Sequence, residues 1–165
     1  MTIRNLHDLY LDQLKDLYSA CTQSQPVTSE LARAATNLEL SDALKAGADG
    51  IGKGKEILAE LCKRHDISPK GEHCKGMEGL VTEARKHGLE ADFGDDDTRD
   101  AAIITQYQRL THYAIAGYGC VHTFARRLGY DDDAVALKDC LDSTRGGDVH
   151  MSKIAEGGVN AAAAQ

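Results

Sequence analysis

Apolar residues recur at steps of three and four along almost the whole chain, the spacing that lines one face of a helix. Leu6, Leu9, Tyr10, Leu14, Leu17, Tyr18 and Cys21 follow it from about residue 5 onward. Pro26 interrupts this stripe. A proline inside a helix removes a hydrogen bond and crowds the preceding turn, so a kink or restart is expected there. Thr28, Ser29 and Glu30 then resemble a fresh helix start, and Leu31, Ala34, Ala35 and Leu38 carry the stripe on.

A second helix is predicted over 39–64, on Leu40, Ala43, Leu44, Ile51, Leu58 and Leu61. A connector with Pro69 fills 65–70, and a short helix over 73–86 uses Met77, Leu80, Val81 and Ala84. A loop rich in Asp and Gly follows over 88–97, after which Asp97 or Thr98 can cap a helix over 99–128. Its buried side is Ile104, Tyr107, Leu110, Ala114, Tyr118, Val121 and Leu128, and Gly129 suits its C-terminal cap. The last helix, 133–155, carries Ala134, Leu137, Leu141 and Ile154. Residues 157–165 read as a frayed, flexible tail behind a single domain of 1–156. With no strand alternation in competition, four long helices and one short one predict an all-α, up-down four-helix bundle.

Charge and composition narrow the function classes. The 165 residues carry 19 basic and 26 acidic side chains, a formal charge of −7, which argues against a protein built to grip phosphate backbones. No run reaches the ~18 apolar residues of a membrane span. The amphipathic N-terminus lacks a signal peptide's apolar stretch. Five dispersed cysteines without a Cys-x-x-Cys pair read as reduced thiols, so a cytoplasmic protein is expected. Sixteen glycines are too many for a helical chain, since the usual share is about 7 %.

Four blocks carry a resemblance: Leu14-Lys-Asp-Leu-Tyr-Ser-Ala20, Cys74-Lys-Gly-Met-Glu-Gly-Leu80, Arg99-Asp-Ala-Ala-Ile-Ile104 and His112-Tyr-Ala-Ile-Ala-Gly-Tyr-Gly119. Together they resemble the bacterial YciE/YciF-like stress-protein family of the ferritin-like superfamily, over about residues 3–156. The resemblance implies a ferritin-like bundle, a homodimer, and a core centre of two irons held by Glu and His side chains projecting from facing helices. The positions that match the family's ligands carry other residues. Cys21 follows the Tyr-Ser-Ala motif, Gly50 and Gly54 stand in the second helix, and Thr111 and Ala114 flank His112-Tyr113 in the third. Thr144 and Asp148 stand in the fourth, and Asp49 is the remaining acidic candidate. Two irons want about six hard donors, mainly carboxylate and imidazole, and Gly, Ala and Thr cannot replace Glu. No iron or other cofactor is therefore expected, and the chain reads as a non-catalytic structural or partner-binding bundle.

Two other readings follow from the same residues. Cys21, Asp49, His112 and Asp148 could form a rebuilt metal or oxidase site. Alternatively, Gly47, Gly50 and Gly54 share one face and, opposite Thr111, Ala114, Ser143 and Gly147, would line a void for a small molecule. Cys21, Thr111, His112 and Asp148 would then be its polar contacts.

Away from the core, Cys62, His65, His73 and Cys74 have zinc-binding side chains, but their spacing matches no standard finger. They also read as surface histidines with semi-buried thiols. The runs Asp95–Asp97 and Asp131–Asp133 lack the glycine and closing Glu of a calcium loop, and negative charge at helix N-termini accounts for them.

Overall fold

The computed structural model describes residues 2–165. Among the described residues five helices and a final single turn follow one another: α1 (Leu6–Ala34), α2 (Leu38–Arg64), α3 (Lys75–Arg85), α4 (Asp96–Leu128), α5 (Asp131–Ile154) and the turn α6 (Asn160–Ala163). Among the described residues there is no strand. Side chains satisfy the orphan amides at the helix starts: Asn5 accepts from Asp8 N, Asn37 from Leu40 N and Asp95 from Thr98 N. Asp95, rather than Asp97 or Thr98, thus caps α4, which begins three residues earlier than expected. Gly129 takes the left-handed conformation (φ 77°) that ends it.

Pro26 neither breaks nor restarts α1. It lies on the solvent side, as does Thr22, the residue whose carbonyl loses its partner, so water can replace the missing hydrogen bond. Thr28 is fully buried and returns its hydroxyl to the Ser24 carbonyl, 2.9 Å away, so it is an interior residue and not a cap.

Helix α1 packs along α2, and α4 along α5, with α1 also against α4 and α2 against α5. The ends fix the directions. Asp100, near the start of α4, accepts from Thr36 N, Thr36 Oγ1 and Asn37 N in the α1–α2 loop, at 2.9, 2.9 and 2.7 Å. Asp133, near the start of α5, meets Tyr10 at the start of α1 and His65 at the end of α2. Helices α2 and α4 are therefore diagonal and run the same way. The chain goes up, down, crosses over through α3, then goes down and up, the single long crossover of a ferritin-like bundle.

The π-helical turn Lys86–Glu90 extends α3 where a loop is expected, and Gly88 there lies against Leu31 and Gln106. Beyond α5 the chain runs through Ala155–Val159, kinked at Gly158 (φ 173°, ψ −37°), into α6. Val159 is only 4 % exposed, so this side chain ties the tail, for which fraying is expected, to the core.

The interior divides into two apolar clusters. One, containing Leu31, Leu40, Leu44, Ile103 and Met151, fills the end where α1 meets α2. The other, containing Tyr10, Leu14, Leu58, Val121 and Leu137, fills the opposite end.

Candidate functional site

Between the two clusters, at the waist of the bundle, lies a cavity of about 900 Å³ that opens between α2 and α5. Each long helix supplies wall: Leu17, Ala20, Cys21 and Ser24 from α1, Gly47, Gly50, Ile51, Gly54 and Ile57 from α2. Tyr107, Leu110, Thr111, Ala114 and Tyr118 come from α4, and Cys140, Ser143, Thr144, Gly147 and Met151 from α5. The wall is thus small residues, aliphatic groups and hydroxyls. Glu39, Asp42, Lys53, Asp139 and His150 reach it from the exposed rim.

The structure brings together Cys21, Gly50, Gly54, Thr111, Ala114 and Thr144 in this one wall. It leaves out the two remaining candidates. His112 points outward with its side chain 63 % exposed and pairs with Asp148, Nε2 to Oδ2 3.0 Å. Gln108 donates to the other Asp148 oxygen at 3.2 Å and to Ser152 at 2.9 Å. His112 follows Thr111 directly, and one residue turns a helical side chain by about 100°, enough to carry it off the core face. His112 and Asp148 tie α4 to α5 on the outside. Asp49 is exposed as well.

Two tyrosines explain much of the glycine stripe. A β-carbon at Gly47 would sit 2.5 Å from the Tyr107 hydroxyl oxygen, and one at Gly54 2.5 Å from that of Tyr118. These rings cross the bundle from α4 and seat their hydroxyls where α2 has no side chains. Gly117 likewise gives room to Leu17, whose Cδ2 would be 2.4 Å from an added β-carbon. Gly50 meets nothing within 4 Å and opens onto the cavity.

Burial governs the chemistry of the site. The Cys21 thiol, 5 % exposed, is pushed up to about 11, although Tyr118 (Sγ to Oη 3.6 Å) and Lys55 oppose the shift. Burial pushes the Cys140 thiol to about 11 as well, with Cys21 and Asp139 adding to it. Both are thiols at neutral pH, so neither is a ready nucleophile or metal-binding thiolate. Burial also raises the Tyr107 and Tyr118 phenols, so both stay protonated.

The residues present do not fit the pair of irons that a ferritin-like fold implies. The enclosed wall offers phenols, aliphatic hydroxyls and protonated thiols, and its carboxylates are confined to the rim. Bridging two hard cations calls for charged oxygens inside.

The zinc candidates are not gathered. Cys62 is buried in one apolar cluster and Cys74 in the other. Cys74 caps α3, its sulfur 3.4 Å from Met77 N and 2.9 Å from the Tyr113 hydroxyl. His73 pairs with Glu78, and His65 with Asp133. Among the described residues no three His, Cys, Asp or Glu side chains converge as a metal site.

A network that periodicity did not mark closes the lower end. Asp133, 4 % exposed, accepts from Tyr10 Oη (2.9 Å) and Arg64 Nη1 (3.0 Å), with His65 Nε2 at 2.7 Å. His7 and Tyr130, hydrogen-bonded at 2.9 Å, pack around them, His7 edge-on to His65 and Tyr130 tilted against it. Burial raises the Asp133 pKa, but the hydrogen bonds from His65, Tyr10 and Arg64 outweigh it and hold the carboxyl below its ordinary value.

Comparisons with known proteins agree with this architecture. Protein YciF of Escherichia coli (strain K12) is 32 % identical over 161 residues, covering 97 % of this chain and 96 % of that protein. The crystal structure of the E. coli stress protein YciF superposes with a TM-score of 0.88 at 31 % identity, over 96 % of this chain and 99 % of the other. YcfI, a putative structural protein from Rhodopseudomonas palustris, gives a TM-score of 0.85 at 31 % identity, over 91 % and 94 % of the two chains. Residues 5–164 match the family described as Domain of unknown function (DUF892), and with nearly the whole length so matched the chain belongs to that family.

Proposed function

We propose that this chain is a metal-independent, non-catalytic stress-associated bundle that acts as a structural or partner-binding protein. The carrying observation is the waist of the core. Cys21, Gly50, Gly54, Thr111, Ala114 and Thr144, the positions that the resemblance matches to the family's ligands, line it without an enclosed carboxylate, and two tyrosines use the space left by glycine. An enclosed carboxylate without a counter-ion is costly, so a core that gave up its metal is more stable without those charges. The names of the relatives, a stress protein and a putative structural protein, point the same way. We place it in the cytoplasm, as a homodimer. Reduced thiols support the first assignment, together with the fact that no described helix is long and apolar enough to cross a membrane. Family resemblance supports the second.

Metal analysis of untagged protein, before and after incubation with ferrous iron under air, tests the proposal. The expected result is iron at background level and no oxo-bridged absorption. Two irons per chain with that absorption would overturn it. Light scattering at several concentrations is expected to give twice the chain mass.

A further inference from the structure

We propose that the waist cavity is a binding site for a neutral, mostly apolar ring compound that carries a carbonyl or similar hydrogen-bond acceptor. The site deepens the metal-independent reading by giving the space a use, and the two stand or fall on different measurements.

Size comes first. About 900 Å³ lies in the range of roughly 300–1,000 Å³ that small-molecule sites occupy, and each of the four long helices forms part of the wall. Leu17, Ile51, Leu110 and Met151 give it apolar surface.

Polarity comes second. Tyr107 is 6 % exposed, and its hydroxyl faces the gap between Gly47 and Gly147. Tyr107 lines the cavity, and the nearby Thr111 hydroxyl pulls its pKa part of the way back down against burial. Tyr118 is 3 % exposed, and its only partner among the described residues is the weakly bonding Cys21 sulfur at 3.6 Å. Two phenol hydroxyls therefore line one cavity with only hydroxyl and thiol neighbours beside them. A ligand oxygen accepting from the Tyr107 hydroxyl would strengthen binding about three- to ten-fold, the net worth of one hydrogen bond.

Charge then selects among acceptors. The rim holds Glu39, Asp42 and Asp139 against Lys53, with His150 beside them. That balance repels a carboxylate or phosphate and admits a neutral carbonyl.

Benzophenone is the probe: two rings, no charge, one acceptor oxygen, and light-driven attachment to nearby C–H bonds. Calorimetry on the full-length protein is expected to show one site per chain, and mass spectrometry after irradiation to place the label on residues of the cavity wall. Tyr107→Phe should weaken binding about three- to ten-fold, the worth of one hydrogen bond. Diphenylmethane, which lacks the oxygen, should bind the parent protein that much more weakly and not notice the substitution. Benzoate should not compete. Gly50→Phe, which sets a ring at the exposed mouth of the cavity, should weaken binding, and the β-carbon it adds meets nothing within 4 Å.

The proposal is overturned if benzophenone does not bind, the cavity then holding water alone. It is equally overturned if the label lands elsewhere, if Gly50→Phe binds as well as the parent, or if benzoate competes. Exclusion of the probe by a second copy of the chain covering the mouth, seen as binding only on dilution, would also overturn it. Iron loading bears on the metal-independent reading, and these outcomes bear on the ligand site alone.

Discussion

Gly54 and Gly50 lie one turn apart on α2, yet they respond to the same change in opposite directions. Replacing a mid-helix glycine by alanine gains about 0.5–1 kcal/mol from backbone entropy when space allows. At Gly50 it does, so Gly50→Ala is expected to raise stability by about that amount in a denaturant titration. At Gly54 the new methyl would lie 2.5 Å from the Tyr118 oxygen. That ring is buried but borders the cavity and can give part of the distance, so Gly54→Ala should cost about 1 kcal/mol, the low end for an overpacked core. Tyr118→Phe removes the offending oxygen and leaves the ring carbon 3.6 Å away, an ordinary contact. The double variant should therefore be more stable than the sum of its single changes predicts; strict additivity would exclude this contact as the reason for the glycine. The glycine face of α2 was legible in sequence from its three- and four-residue steps. Its partners were not: periodicity marks Tyr107 and Tyr118 as buried but cannot say how far across the bundle each ring reaches. The same limit applies to His112, which is adjacent in sequence to a wall residue and outside the wall in space.

At the scale of the element, two aspartates do what no helix stripe encodes. Asp100 holds the α1–α2 loop through three hydrogen bonds, and Asp133 joins α1, α2 and α5. Asp131, Asp132 and Asp133 all suit the positive end of the α5 dipole, and the first two, which are exposed, need no other account. Asp133 turns inward because it lies where three helices converge, and convergence is a tertiary property. Its lowered pKa has a definite sign. Its contribution is complete above the ordinary value of 3.8 and fades as pH falls from there through the lower folded value. Chemical denaturation at a series of pH values should show this acid limb in the parent and a shallower one in Asp133→Asn. An unchanged slope would mean that the network is not linked to folding. Asp100→Ala leaves two amides and a hydroxyl without their partner at a helix junction. It should cost about 2–3 kcal/mol at neutral pH, a stability loss without a change in fold. Circular dichroism paired with urea titration separates the two.

For the whole molecule, the number and rough span of the helices were readable because amphipathic stripes and caps are local. Their directions were not, since a stripe does not say which end of the bundle a helix starts from. That took Asp100 and Asp133, each linking segments more than sixty residues apart. The anchored tail also escaped notice, because a lone valine among Gly and Ala carries no periodic signal, yet Val159 reaches the core. The division of the interior into two apolar clusters with a cavity between them has a consequence for the bulk behaviour of the protein. Voids vanish on unfolding, so a folded state that encloses one loses volume when it opens, and pressure drives that change. The waist opens between α2 and α5, so only the part of it that stays dry counts, and the decrease should fall within the usual ~20–100 mL/mol. Gly50→Leu, which adds a side chain at the exposed mouth with open space around its β-carbon, should reduce that decrease and raise the unfolding pressure to the extent that the apolar wall beneath is dry. High-pressure fluorescence of the native tyrosines can follow it, there being no tryptophan to dominate the signal. Equal volume changes in the two proteins would mean that water already fills the waist, which a ligand would then have to displace.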